Sequence, residues 1–165
     1  MPKPGKLIVL VTGAPGSRKT ALARNLSTAL RRPMSAADLI EDALSVSLRR
    51  DGCECQALRT ASVHVMWSLL GDSPTGAVVE VNGDADTVAE GLSRIGEYRL
   101  VEIFCNVPPG PVPPGPALNG SGLSGSGLNG GYQPVGLGPR RHVDLSRPVD
   151  TDELVTWILC RASGN

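Results

Sequence analysis

Leu7–Thr20 reads LIVLVTGAPGSRKT, and this stretch decides the fold. Leu7–Thr12 is an unbroken aliphatic and β-branched run, the composition of a strand covered on both faces of a parallel sheet. Gly13–Thr20, GAPGSRKT, follows at once. Gly13, Lys19 and Thr20 fit the phosphate-loop (Walker A) pattern G-x-x-x-x-G-K-[ST], and Arg18 stands where the second fixed glycine belongs. The pattern expresses a physical need. Successive backbone N–H groups curl around an anion only at glycine-like φ/ψ values, and the next helix points its positive N-terminus at the charge. The bland alternative is a Gly/Pro turn ahead of a helix N-cap.

Lysine usage supports the phosphate-loop reading. The chain has thirteen arginines and three lysines, Lys3, Lys6 and Lys19. A compact ammonium suits a phosphate cradle better than a planar fork. The expected nucleotide-binding residues are therefore Gly13, Ala14, Pro15, Gly16, Ser17, Arg18, Lys19 and Thr20. Lys19 would reach the β- and γ-phosphates of ATP, and the Thr20 hydroxyl would hold Mg²⁺.

Beyond the loop, strands and helices alternate. A helix is expected over Lys19–Arg31, with Ala21, Leu22, Leu26, Ala29 and Leu30 at helical spacing. Pro33–Ala36 reads as a short strand, and Asp38 opens a helix with Leu39, Ile40, Ala43, Leu44 and Leu48. A third helix runs from Cys55 to Leu70, with Leu58, Val65, Leu69 and Leu70 as its apolar positions. Ala77–Val81 is a strand; Asp84 or Asp86 caps a helix burying Val88, Leu92 and Ile95. Leu100–Cys105 and His142–Leu145 are strands, and the last helix starts at Asp150 with Glu153 three positions on. This order implies an α/β fold, a parallel sheet with helices on both faces.

Pro108–Pro139 breaks the pattern. It is mostly Gly, Pro, Ser, Asn and Leu, with no charged residue and no period, and reads as a flexible loop or disordered insertion, with a functional lid as the alternative, inside a single domain spanning 1–165.

Composition narrows the function. Sixteen basic and sixteen acidic residues balance, so nothing electrostatic calls for nucleic acid or an anionic membrane as partner. No apolar run approaches the ~20 residues of a membrane span. Lys3, Lys6 and Leu7–Val11 mimic a signal peptide only superficially, since the run is short and leads into a glycine loop; the expected location is cytoplasmic. Cys53 and Cys55 form a CxC pair with no second pair at metal-ligand spacing, so all four cysteines, with Cys105 and Cys160, read as reduced thiols.

KLIVLVTGAPGSRKTALARNLSTAL resembles the opening of the P-loop kinase-like group that includes zeta toxins, chloramphenicol phosphotransferase and gluconate kinases. PMSAADLIEDAL, GAVVEVNG, LVEIFCNVPPG and HVDLSRPVDTDELVTWI resemble its later segments. The resemblance implies a five-stranded parallel sheet and ATP-dependent phosphorylation of a small molecule. It implies that Asp38, at a helix start, faces the acceptor hydroxyl as catalytic base alongside Lys19, and that Arg147 borders the adenine. An N-cap role suits Asp38 equally well. No Asp closes the third strand, so Mg²⁺ would rest on Thr20, Asp38 and water, with Glu80, Asn82 and Asp84 nearby.

Two departures from the group divide the functional reading. Arg18 replaces a glycine, and the lid that carries arginines in the group has none here between Arg99 and Arg140. One reading is a small-molecule kinase; the other is a pseudokinase that binds nucleotide or a partner without phosphoryl transfer. Arg140 and Arg141 follow the loop as either substitute lid arginines or a solvated pair. His64 and His142 have no visible partner and read as structural or surface residues.

Overall fold

The computed structural model describes residues 5–14, 17–48, 56–106 and 133–164. The elements in chain order are β1 (Lys6–Gly13), α1 (Lys19–Leu30), β2 (Met34–Ala36), α2 (Ala37–Ser47), α3 (Gln56–Asp72), β3 (Gly76–Glu80), α4 (Ala85–Ser93), β4 (Tyr98–Asn106), β5 (Arg140–Asp144) and α5 (Thr151–Ala162). The five strands form one parallel sheet in the order β2-β3-β1-β4-β5. β1 therefore lies at the centre, with Val9 beside Val78 of β3 and Val101 of β4.

The two-residue period of β1 divides the core. Leu7, Val9 and Val11 pack with Leu22 and Leu26 of α1 and with Leu154 and Ile158 of α5. Ile8 and Leu10 pack on the other face with Met66, Trp67 and Leu70 of α3 and with Val88 and Leu92 of α4. Alternate side chains of one strand thus serve two helical layers, which is why the run had to be apolar throughout. No helix among the described residues is long and apolar enough to cross a membrane.

Helix faces differ in places from the sequence-based expectation. α1 buries Leu22, Ala23 and Leu26, while Ala21 and Ala29 are exposed. α3 buries Ser62, Met66, Trp67 and Leu70; Val65 and Leu69 are 42% and 58% exposed. Apolar residues surround most of α3, so its period does not reveal which side meets the sheet. No residue of α2 is fully buried. Asp84 and Asp150 are caps as expected, accepting from the N–H groups of Thr87 and Glu153 at 2.8 and 3.0 Å.

The stretch expected to be an unstructured loop, 108–139, lies mostly outside the described residues. Its last seven residues, 133–139, are described, and the buried Val135 among them ties this end of the stretch to β4. Glu102, fully buried at the middle of β4, accepts the N–H groups of Val135 and Gly136 at 2.7 and 2.8 Å and the Thr12 hydroxyl at 2.8 Å. The Glu102 N–H donates to the Pro139 carbonyl at 2.8 Å, and Val135 is buried. A carboxylate inside a sheet requires donors, and consecutive amides of the returning chain supply them. Replacing Glu102 by Leu leaves three donors without an acceptor, at about 1–3 kcal/mol for each that stays dry. Gly136 is exposed and can turn to water, so the two buried donors set the floor, and urea unfolding of Glu102→Leu should show a loss of at least about 2 kcal/mol; a loss below about 0.5 kcal/mol, the level of a neutral surface change, would contradict this account.

Candidate functional site

The loop between β1 and α1 leaves the C-terminal edge of the sheet at its central strand. β1 ends at Gly13, whose φ is 136°, and a Cβ there would collide with the Cys105 carbonyl oxygen of β4. Glycine is thus dictated by the approach of the neighbouring strand as well as by the turn. The Ser17 N–H donates to the Ala14 carbonyl at 3.3 Å, closing the turn. Pro15 and Gly16, both expected at the site, lie outside the described residues.

Arg18 is the N-cap of α1, with φ 60° and ψ 20° and no side-chain cap. This left-handed state is free to glycine and costs other residues about 1–2 kcal/mol. The conformation the motif needs is therefore present although the glycine is not. The Arg18 side chain is exposed.

Lys19 opens α1 and is only 4% exposed. Its Nζ donates to the carbonyls of Gly13 and Ala14 at 2.8 and 3.1 Å and to Asn82 Oδ1 at 2.8 Å. Burial pushes this ammonium below the ordinary value of 10.5, against the opposing pull of Glu80, Cys105 and Asp38. Ser17 is also buried, and among the described residues its Oγ has no hydrogen-bond partner.

Two carboxylates meet this loop. Thr20 Oγ1 donates to Glu80 Oε1 at 3.1 Å, which places the last residue of β3 against the first turn of α1. Asn82 Nδ2 donates to Asp38 Oδ2 at 2.9 Å, so Asn82 links Asp38 to Lys19. Ala36, not Asp38, is the N-cap of α2, and it has an extended backbone. Asp38 sits in the first turn with its carboxylate on Asn82, and the N-cap alternative falls away. The sequence reading paired Asp38 with Thr20 and left Glu80 aside for want of an Asp. The overlooked signal was position: GAVVE is an apolar strand ending in an acid at the same sheet edge as the loop.

The acid-lined edge continues into a cavity of about 160 Å³ between α2, α3 and α4. Asp38, Glu80 and Asn82 stand on one side of it; Met66, Trp67 and Val88 line another. Helical periodicity had not singled out Met66 or Trp67.

The remaining candidates lie elsewhere. Arg147 is in the turn after β5, 84% exposed at its side chain, with Asp144 at 3.9 Å as its ion-pair partner. It shares the C-terminal edge of the sheet with the loop but makes no bond to it among the described residues. Arg141 pairs with Glu153 and lies over the Trp157 ring at 5.9 Å, a structural engagement at α5. His142 stacks edge-on with Phe104, with ring centroids 5.3 Å apart, and His64 is exposed on α3. Cys105 is buried in β4, and burial pushes its thiol up to about 12. Cys53 and Cys55 lie outside the described residues.

The fold is that of the P-loop small kinases. A chain from Chloroflexus aurantiacus described as a candidate kinase is 18% identical with a TM-score of 0.74, covering 100% of both chains. A gluconokinase from Sinorhizobium meliloti is 16% identical with a TM-score of 0.52, over 98% of this chain and 93% of that one. The APS kinase of Mycobacterium tuberculosis is 20% identical with a TM-score of 0.53, over 99% and 100%. At these identities the shared property is the fold. No protein-family model matches the sequence, and no curated protein matches it.

Two outcomes follow from the loop geometry. Arg18→Gly should raise stability by about 1 kcal/mol, the left-handed cost less the added freedom of glycine in the unfolded chain; urea unfolding measures it, and a destabilised variant would contradict the reading. Sulfate affinity should fall with rising pH. The charged form of Lys19 is the disfavoured one, so its loss should begin below the ordinary lysine value of 10.5. Calorimetric titration should show that decline in wild type and a flat profile in Lys19→Met.

Proposed function

We propose that the chain binds Mg-ATP at Gly13–Thr20 and transfers the γ-phosphoryl group to a hydroxyl of a small acceptor. The observation that carries this reading is the buried Lys19 ammonium, held on loop carbonyls immediately after β1 and at the N-terminus of α1. The Ser17 hydroxyl, without a partner among the described residues, supports it, since an anion in the turn would satisfy that group. Nucleotide specificity for adenine, with Arg147 beside the base, is part of the proposal.

Thr20 and Glu80 are the donors that fit Mg²⁺, a hard hydroxyl and a hard carboxylate on one edge. Bound there, the ion would offset phosphate charge. Lys19 turns from the carbonyls toward the β- and γ-phosphates. Asp38, oriented by Asn82, accepts the acceptor's proton. The acceptor oxygen bonds to the γ-phosphorus as the bond to the β–γ bridging oxygen breaks, and that oxygen leaves with its electron pair on ADP.

A second reading has its own support. Arg18 grips ground state and transition state alike, and the chain has no arginine between Arg99 and Arg140 to act from a lid. The protein would then bind nucleotide with little turnover. The two readings separate by rate. Arg18→Gly should change ATP affinity less than tenfold and raise ATP turnover. Wild-type turnover at about 1 s⁻¹ or faster, slowed by Arg18→Gly, would instead make Arg18 a catalytic group and end the pseudokinase reading. Glu80→Gln should raise the Mg²⁺ concentration needed for ATP binding at least tenfold, while affinity for metal-free pyrophosphate stays within about twofold. Equal Mg²⁺ dependence in both proteins would remove Glu80 from the metal site.

A further inference from the structure

We propose that the cavity beside Asp38 takes a neutral alcohol built on one apolar ring, not a polyol or a sugar acid. The inference rests on the phosphotransfer reading for the fate of the hydroxyl, but not for binding.

Size comes first. A cavity of about 160 Å³ is close to the ~150 Å³ apolar cavity that accepts benzene. One six-membered ring fills it. Chemistry comes second. The floor is Val63, Met66, Trp67, Val81 and Val88, and of these Met66, Trp67, Val81 and Val88 are buried. Each additional hydroxyl of a sugar would lose its water against these side chains and find no partner there. Asp38, Glu80 and Asn82 can meet an alcohol, and Asn82 bonds to Lys19; Arg59 and Thr87 are the other polar side chains of the lining. A single hydroxyl on an apolar body matches that division.

Charge comes third. Asp38 and Glu80 place two carboxylates on the wall. Among the described residues the lining cation is Arg59, which has the Glu41 carboxylate at 3.6 Å, and Lys19 is held by the loop and Asn82. A carboxylated or phosphorylated acceptor would meet net negative charge, so the neutral ligand is favoured.

The wall is also specifically built. Gly91, inside α4, lies where an added Cβ would fall within the indole ring of Trp67. Glycine inside a helix costs stability relative to alanine. Here it gives the Trp67 ring its seat beside the cavity, and the ring supplies a flat apolar surface.

Trp67 makes the proposal measurable without turnover. The chain has two tryptophans, Trp67 and Trp157, and the second is on α5 across the sheet. In a Trp157→Phe background, cyclohexylmethanol should change Trp67 emission saturably, and glucose, myo-inositol and gluconate should not. Adding Gly91→Ala should weaken cyclohexylmethanol binding at least tenfold, with Mg-ATP affinity within twofold. Should that variant fail to fold by circular dichroism, Val63→Phe fills the same space and should have the same effect. Saturable binding of gluconate or glucose in preference to cyclohexylmethanol would overturn the proposal while leaving the kinase reading intact. No response to any of these compounds would overturn it as well. Cyclohexylmethanol binding without Mg-ATP binding would support the cavity's chemistry and remove the kinase reading instead.

Discussion

A buried ammonium must have partners, and Lys19 organises this end of the molecule around that need. Leaving a buried charge unmatched costs several kcal/mol. The Gly13 and Ala14 carbonyls can supply oxygens because β1 stops and turns beneath the lysine. That turn requires glycine at 13, since the backbone of β4 passes too close for a Cβ. Asn82 supplies the third oxygen because β3 runs parallel to β1 and ends at the same edge. The turn at Gly13, the strand order and the two carboxylates thus meet at one place, around Lys19.

Legibility in the sequence followed the strength of local physics. β1 was readable because a strand buried on both faces carries an unbroken aliphatic run, here Leu7–Val11, with no polar residue inside it. The caps at Asp84 and Asp150 were readable because capping is decided within four residues. Asp38 shows the limit of the same rule: an Asp just before an apolar helix pattern looks like a cap, yet the chain enters α2 from an extended Ala36. Which side of α3 faces the sheet was not readable, because apolar residues occur around most of the helix and tertiary packing chose among them. Glu102 was visible as a lone charge in LVEIFC, but two of its partners lie more than thirty residues away in a segment without any period, and the third, Thr12, is brought to it by the sheet. Glu80 was visible too; only the sheet register brings it to Thr20.

Arg18 stands at the boundary between binding and catalysis. Its backbone occupies the left-handed region that the motif's glycine would adopt, so the loop's shape survives at an energetic cost. A guanidinium beside a triphosphate adds charge-assisted hydrogen bonds of about 1.5–3 kcal/mol, enough to offset that strain. Stabilisation of this sort does not by itself lower a barrier, because it acts equally before and during transfer. On the proposed reading, the loop would hold phosphates more readily than the chain would drive their transfer.

The central claim is that Gly13–Thr20 is a working nucleotide site, and calorimetric titration of the wild-type protein and Lys19→Ala with Mg-ATP tests it most directly. The account predicts saturable one-to-one binding by wild type and at least a tenfold loss on removing the ammonium, with the variant still folded by circular dichroism. Equal affinity in the two proteins, or no binding by either, would contradict it.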